Sequence, residues 1–227
     1  LALVALAGLP LLRAPWPAVT MAPQVPGFLP GDGDPLYRLW WIDWLWAHPG
    51  ALFESGARTD VLFAPFGAQL GLVQAQLVQG LAVLALRPLR DPALAYAVLW
   101  ALSFLFTASA SAALAGDVSR SRPGAFLAGL LAAFSSPFFV HSLEHVFKYL
   151  GFGFVPLALL TLRRVLERGG GRAYGAFFVV SALVLLSDWY NALYVLVGGA
   201  VLWAHRFVTA PGERRSQRSL SRSPAAR

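Results

Sequence analysis

The chain has 227 residues, of which 57% are hydrophobic and 13% charged, with a mean hydropathy of +0.60 and a formal net charge of +7. A soluble chain carries about 25% charged residues, so this composition excludes an ordinary water-facing surface, and its hydrophobicity excludes a disordered chain. An all-α, polytopic membrane helix bundle remains. The basic residues lie scattered between apolar runs, as in membrane loops, so the positive charge does not point to nucleic acid. Cysteine is absent, which removes disulfides, cysteine-held zinc and thiol nucleophiles.

Residues 1–12 read as the end of a first membrane helix, closed by Arg13, Pro15 and Pro17. The chain begins inside that apolar run, so an amino-terminal stretch is expected to be missing. Residues 21–91 form a long mixed segment, read as the first outer loop. Five apolar runs follow, at 92–115, 124–140, 146–162, 173–187 and 190–204, which with the first makes about six transmembrane helices. A span needs about 20 apolar residues. As one straight helix, 173–204 would be about 48 Å long against a hydrocarbon core of about 30 Å. Two short spans folded at Ser187-Asp188-Trp189-Tyr190-Asn191 fit better. Residues 1–210 are read as one transmembrane domain and 211–227 as a disordered basic tail.

Placing the loops at 116–123 and 163–172 and the tail on the cytoplasmic side puts 12 of the 18 basic residues there and leaves 8 of the 11 acids outside. That matches the positive-inside rule. Residues 70–86 are apolar enough to span, yet Gln69, Gln76 and Gln79 fall on one helical side, the pattern of a helix lying in the interface or against other helices. Charge leaves both readings open.

Three outer-face constellations could carry chemistry. Pro30-Gly31-Asp32-Gly33-Asp34-Pro35 holds two carboxylates two apart in a bendable loop. The pair suits a divalent cation or a general base, and equally a solvated turn. It leads into a stretch with Trp40, Trp41, Trp44 and Trp46, an aromatic interfacial helix that is either a plain anchor or a platform for a lipid-linked substrate. His141-Ser142-Leu143-Glu144-His145 puts two histidines one helical turn apart and matches an inverted zinc-peptidase pattern, though a zinc site needs a third ligand. Polar groups at a helix end are the simpler reading of it, and substrate or metal contact the other. Lys148 either pairs with Glu144 or contacts a phosphate. Asp188 and Tyr190 form the third cluster, read as a hairpin turn or as part of the site.

The order of these features resembles the amino-terminal half of bacterial GT-C membrane glycosyltransferases, the superfamily of protein mannosyltransferases, aminoarabinose transferases and oligosaccharyltransferases. The residues carrying it are Gly31-Asp32-Gly33-Asp34-Pro35, the aromatic stretch, Ala64-Pro65-Phe66-Gly67, Arg87-Pro88-Leu89, Phe134-Ser135-Ser136-Pro137-Phe138, Glu144-His145 and Ser187-Asp188-Trp189-Tyr190. The resemblance implies transfer of a sugar from a polyprenyl-phosphate carrier at the outer face of a bacterial inner membrane. It implies Asp34, with Asp32 second, as catalytic carboxylate, and Glu144 and His145 as substrate contacts, to which the residue readings above add Lys148, Trp40, Trp41, Asp188 and Tyr190. It also implies a divalent cation, Mg or Mn, at Asp34, Glu144 and His145, and favours 70–86 lying flat. His-x-x-Glu-His stands where relatives often carry acids, which puts metal dependence in question. The superfamily's carboxy-terminal helices are missing, so an inactive fragment is also consistent. The competing class is a transporter or non-enzymatic membrane subunit. It would favour ionisable groups or broken helices near mid-membrane, and the run interiors hold mainly Ser103, Thr107, Ser109 and Ser111.

Overall fold

The structure, a computed structural model, describes residues 34–54, 58–59, 68–69, 76–135 and 146–221. The described residues are almost wholly helical: α1 (Asp34–Ala47), α2 (Leu77–Ala85), α3 (Pro92–Ser119), α4 (Arg122–Ala133), α5 (Val146–Phe152), α6 (Phe154–Arg168), α7 (Gly171–Ser187) and α8 (Trp189–Ser221). One two-residue antiparallel ladder pairs β1 (Arg58–Thr59) with β2 (Ala68–Gln69).

Three stretches are long and apolar enough to cross a membrane: Pro92–Ser119, Phe147–Arg168 and Trp189–Val208. The 12 residues of α4 and 17 of α7 give about 18 and 25 Å at 1.5 Å per residue, short of a core of about 30 Å.

Local sequence explains where these helices start and stop. Asp91 caps α3, its Oδ1 accepting from Ala93 N at 2.9 Å and Leu94 N at 3.2 Å, with Pro92 at the first position, where a missing N–H costs nothing. Arg120 closes α3 in the left-handed region at φ 55°, and Ser121 Oγ caps α4 by accepting from Gly124 N. The chain breaks between α5 and α6 at Gly153 because Pro156 lacks the N–H that would bond Phe152 O. It breaks again at Asp188, extended at φ −165°, ψ 130°, as the fold at 187–191 anticipates.

Helix α3 is the axis of the bundle. Its residues Tyr96, Leu99, Trp100 and Phe104 share one core with Trp41, Ile42, Leu45 and Trp46 of α1, Val83 of α2 and Phe147 of α5. The buried positions of α1 recur at one-turn spacing, so it lays one face on α3 and turns Asp43 and Ala47 outward. Against α4 the approach is backbone-close: a Cβ at Gly129 would sit 2.6 Å from Ala108 O and 3.0 Å from Ala112 Cβ. Small residues let apolar helices pack this tightly.

Two chemically distinct ends result. At one end lie the α3–α4 turn, the α6–α7 turn and Arg206. There Arg163 donates to Asp117 at 2.7 Å and to Glu167 at 2.8 Å, and Arg164 to Asp117 at 3.3 Å. At the other end lie α1, α2, the start of α3, the start of α5 and the α7–α8 break.

Two stretches read from the sequence stand as follows beside the described helices. Of the stretch read over 70–86, the structure describes a helix at Leu77–Ala85, about 13 Å at 1.5 Å per residue, and residues 70–75 lie outside the described residues. Gln69 belongs to β2 rather than to that helix, and Gln76 is its N-cap. At the carboxy-terminal side α8 runs through Pro211 to Ser221, where the tail is read as disordered. The first membrane helix read at 1–12, Asp32 and His141 to His145 lie outside the described residues.

Candidate functional site at the aromatic end

The site is pinned from below by Gln79. Its side chain is fully buried, and Nε2 donates to Phe147 O and to Ser187 O, each at 2.9 Å. One amide therefore ties α2 to the start of α5 and to the end of α7. Gly151 makes room for it: a Cβ there would lie 2.9 Å from Gln79 Nε2 and 2.8 Å from Ser187 Oγ. Trp46 adds a second tie, Nε1 donating to Val83 O at 2.8 Å.

Phe147, fully buried, is the hub above this pin. Trp41 meets it edge-on with ring centroids 5.0 Å apart, and the guanidinium carbon of Arg38 lies 5.4 Å from its centroid. The next residue, Lys148, holds Nζ 4.6 Å from the centroid of Tyr190. Lys148 makes no ion pair with any described residue. Tyr190 stacks on Trp189 at 3.7 Å, and both rings are exposed. Cation–π contacts of this kind contribute about 0.5–2 kcal/mol, more as they are desolvated.

Asp188 is buried and works as a helix cap, its Oδ1 accepting from Tyr190 N at 2.8 Å. Within the same first turn of α8, Asn191 is 0% exposed and neither its Nδ2 nor its Oδ1 has a partner; Gln79 Oε1 is likewise buried and unpaired. A buried amide without hydrogen bonds costs about 1–3 kcal/mol, so each such group in a native fold calls for an explanation.

The structure thus brings together Trp41, Lys148, Asp188 and Tyr190 from the sequence-derived set. Trp41 supports the cluster from within the core, since it is only 3% exposed. Trp40 is not part of the cluster; it stacks on Trp44 at 6.1 Å and covers Ala51. Asp34 is the first residue of α1, one turn before Arg38, but its side chain, like Asp32, Glu144 and His145, lies outside what the structure describes. Among the described residues no group of three or more His, Asp or Glu could hold a metal ion, so the expected Mg or Mn at Asp34, Glu144 and His145 rests on the sequence alone. Arg38, Phe147 and Asn191 carry roles that sequence reading did not assign. For Asn191 the available signal is an amide inside an apolar run, directly after a helix break.

No protein-family model matches the chain, and neither a curated protein nor a solved structure matches it.

Chemically, the arrangement offers two cations seated on aromatic rings, an exposed stacked aromatic pair, and buried amide groups beneath. That set suits an anionic ligand bearing a hydroxyl-rich or ring-shaped part.

Proposed function

We propose that this chain is the amino-terminal portion of a GT-C-type membrane glycosyltransferase, taking a sugar from a polyprenyl-phosphate carrier at the outer face of a bacterial inner membrane. One observation carries the reading: Lys148 on Tyr190 and Arg38 on Phe147 both lie at the bundle end opposite the arginine-rich turns. By the positive-inside rule the arginine-rich end is cytoplasmic, which leaves Lys148, not ion-paired with any described residue, at the outer headgroup level.

In this reading the acceptor hydroxyl attacks the anomeric carbon and the bond from that carbon to the carrier phosphate oxygen breaks. The acceptor proton passes to a loop carboxylate, Asp34 with Asp32 as second choice. Lys148 and Arg38 neutralise the charge gathering on the leaving phosphate. Trp189 and Tyr190 present ring faces to the sugar. Asp34, Glu144 and His145 are the side chains expected to hold a divalent cation, which would supply further charge neutralisation, and no step here depends on it.

Two measurements test the reading. The chain lacks cysteine, so Ser55→Cys or Ala57→Cys can be labelled with an impermeant reagent in intact cells. Labelling from outside supports it; protection until permeabilisation puts the acidic loop in the cytoplasm and ends it. In proteoliposomes of the whole protein, Asp34→Asn is expected to abolish transfer from a polyprenyl-phosphate-linked sugar, and full activity would remove Asp34 as the base. The transporter alternative draws on Thr107, whose hydroxyl is buried and unpartnered within α3; one hydroxyl does not make an ion path.

A further inference from the structure

A second charged cleft opens at the same end of the bundle and shares no residue with the Arg38–Lys148 cluster. It has a volume of about 660 Å³ and is lined by Asp43, Trp46, Ala47, Leu84, Arg87, Pro88 and Arg90. Its walls are fixed by features already described. Trp46 is tied to Val83 O, and the short 3-10 turn Arg87–Leu89 carries the chain from α2 towards the Asp91 cap of α3. Arg90 closes that turn in the left-handed region at φ 56°, a conformation that costs a non-glycine residue energy and persists only where the surroundings hold it.

This turn leaves two guanidinium groups and one carboxylate around a single space. None of the three is ion-paired, either with the others or with any other described residue. Opposite charges that line one cleft without meeting leave room for a ligand carrying both signs. Guanidinium groups recognise phosphate oxygens through forked, charge-assisted hydrogen bonds, and a carboxylate in the same cleft suits a primary ammonium. Location narrows the ligand further. The cleft sits just before α3, the first described helix long and apolar enough to cross a membrane, so it lies at headgroup level. Exposed Leu81, Leu89 and Leu94 flank it on α2, the turn and α3, where acyl chains would run.

We propose that this cleft binds the headgroup of an aminophospholipid, with the phosphodiester held by Arg87 and Arg90 and the ammonium by Asp43. A choline headgroup carries no N–H to donate to Asp43, and a glycerol headgroup carries no cation. The volume falls in the range of ordinary ligand sites, about 300–1,000 Å³. The inference does not depend on the transferase reading.

The test is lipid titration of the full chain in detergent, read by native mass spectrometry, with phosphatidylethanolamine, phosphatidylcholine and phosphatidylglycerol of matched acyl chains. The wild type is expected to bind the ethanolamine lipid about tenfold more tightly than the other two, as for one charge-assisted hydrogen bond. Asp43→Asn should make ethanolamine and glycerol lipids equal. Arg87→Gln with Arg90→Gln should weaken all three about tenfold or more. Equal binding of the three lipids by wild type overturns the proposal without recourse to any variant. A preference that survives Asp43→Asn overturns the assignment of the ammonium. Free phosphoethanolamine competing at the same concentration as the lipid would show a soluble phosphoamine site and overturn the lipid assignment.

Discussion

At the arginine-rich end, Asp117 receives Arg163 and Arg164 while Arg163 also reaches Glu167, and each of these charges is met. At the aromatic end, Asn191 and Gln79 Oε1 are buried without partners, and Lys148 rests on a ring rather than on an acid. The first arrangement is what a helix bundle needs to close its ends. The second leaves polar groups buried where hydrophobic packing would have been simpler, and such groups call for an explanation, which the proposed ligand would supply.

The largest expected effect strikes the scaffold common to both ends. Gly129→Leu drives a side chain into Ala108 O and Ala112 and should cost about 3 kcal/mol, as for severe overpacking. The readout is the helical melting transition in detergent. A change below about 0.5 kcal/mol, the size of an ordinary surface substitution, would mean that α3 and α4 do not pack as described.

Gln79→Leu comes next and breaks the aromatic end alone. Two carbonyls lose their donor, for an expected cost of about 2 kcal/mol, partly offset by removing the unpaired Oε1. Gly151→Ala acts on the same pin, since its Cβ would fall on Gln79 Nε2 and Ser187 Oγ. The two changes should therefore be non-additive in a double-mutant cycle. Strict additivity would separate Gly151 from the pin.

Asn191→Leu sharpens the contrast in the opposite direction. It exchanges an unsatisfied buried amide for an apolar side chain of similar size, so stability should rise by about 1 kcal/mol. Binding of a polyprenyl phosphate or its sugar conjugate should fall at the same time. A rise in stability with binding intact would make Asn191 a packing defect rather than a ligand group.

These effects divide along the same line as what could be read from the chain. Asp91-Pro92 before a long apolar run marks the start of α3, and Asp188 inside 173–204 marks the break between α7 and α8, because caps, proline and helix length act locally. The start of helix α2 is not legible in the sequence, since an apolar run fixes composition but not the residue at which a helix begins. The role of Gln79 was out of reach for another reason. Its carbonyl partners lie 68 and 108 residues away in sequence, and no local pattern announces such a contact. Lys148 and Tyr190 were each visible as rim residues, but their pairing depends on how α5 meets α8. Arg38 was hidden among tryptophans, where an anchoring role accounts for the whole stretch.

The smallest effect belongs to the arginine-rich end. Asp117→Asn keeps the shape of the side chain and removes the charge that holds Arg163 and Arg164. Asp117 is 14% exposed and Arg163 20%, so water and salt screen the pair, and the loss should be about 1 kcal/mol or less. Arg163 retains Glu167 one turn away, which limits the damage further. The cost should shrink as salt is raised, because it is electrostatic, whereas the cost of Gln79→Leu should be indifferent to salt. If both variants respond to salt alike, the two ends do not differ in kind, and the case for reading the aromatic end as a site loses its physical basis.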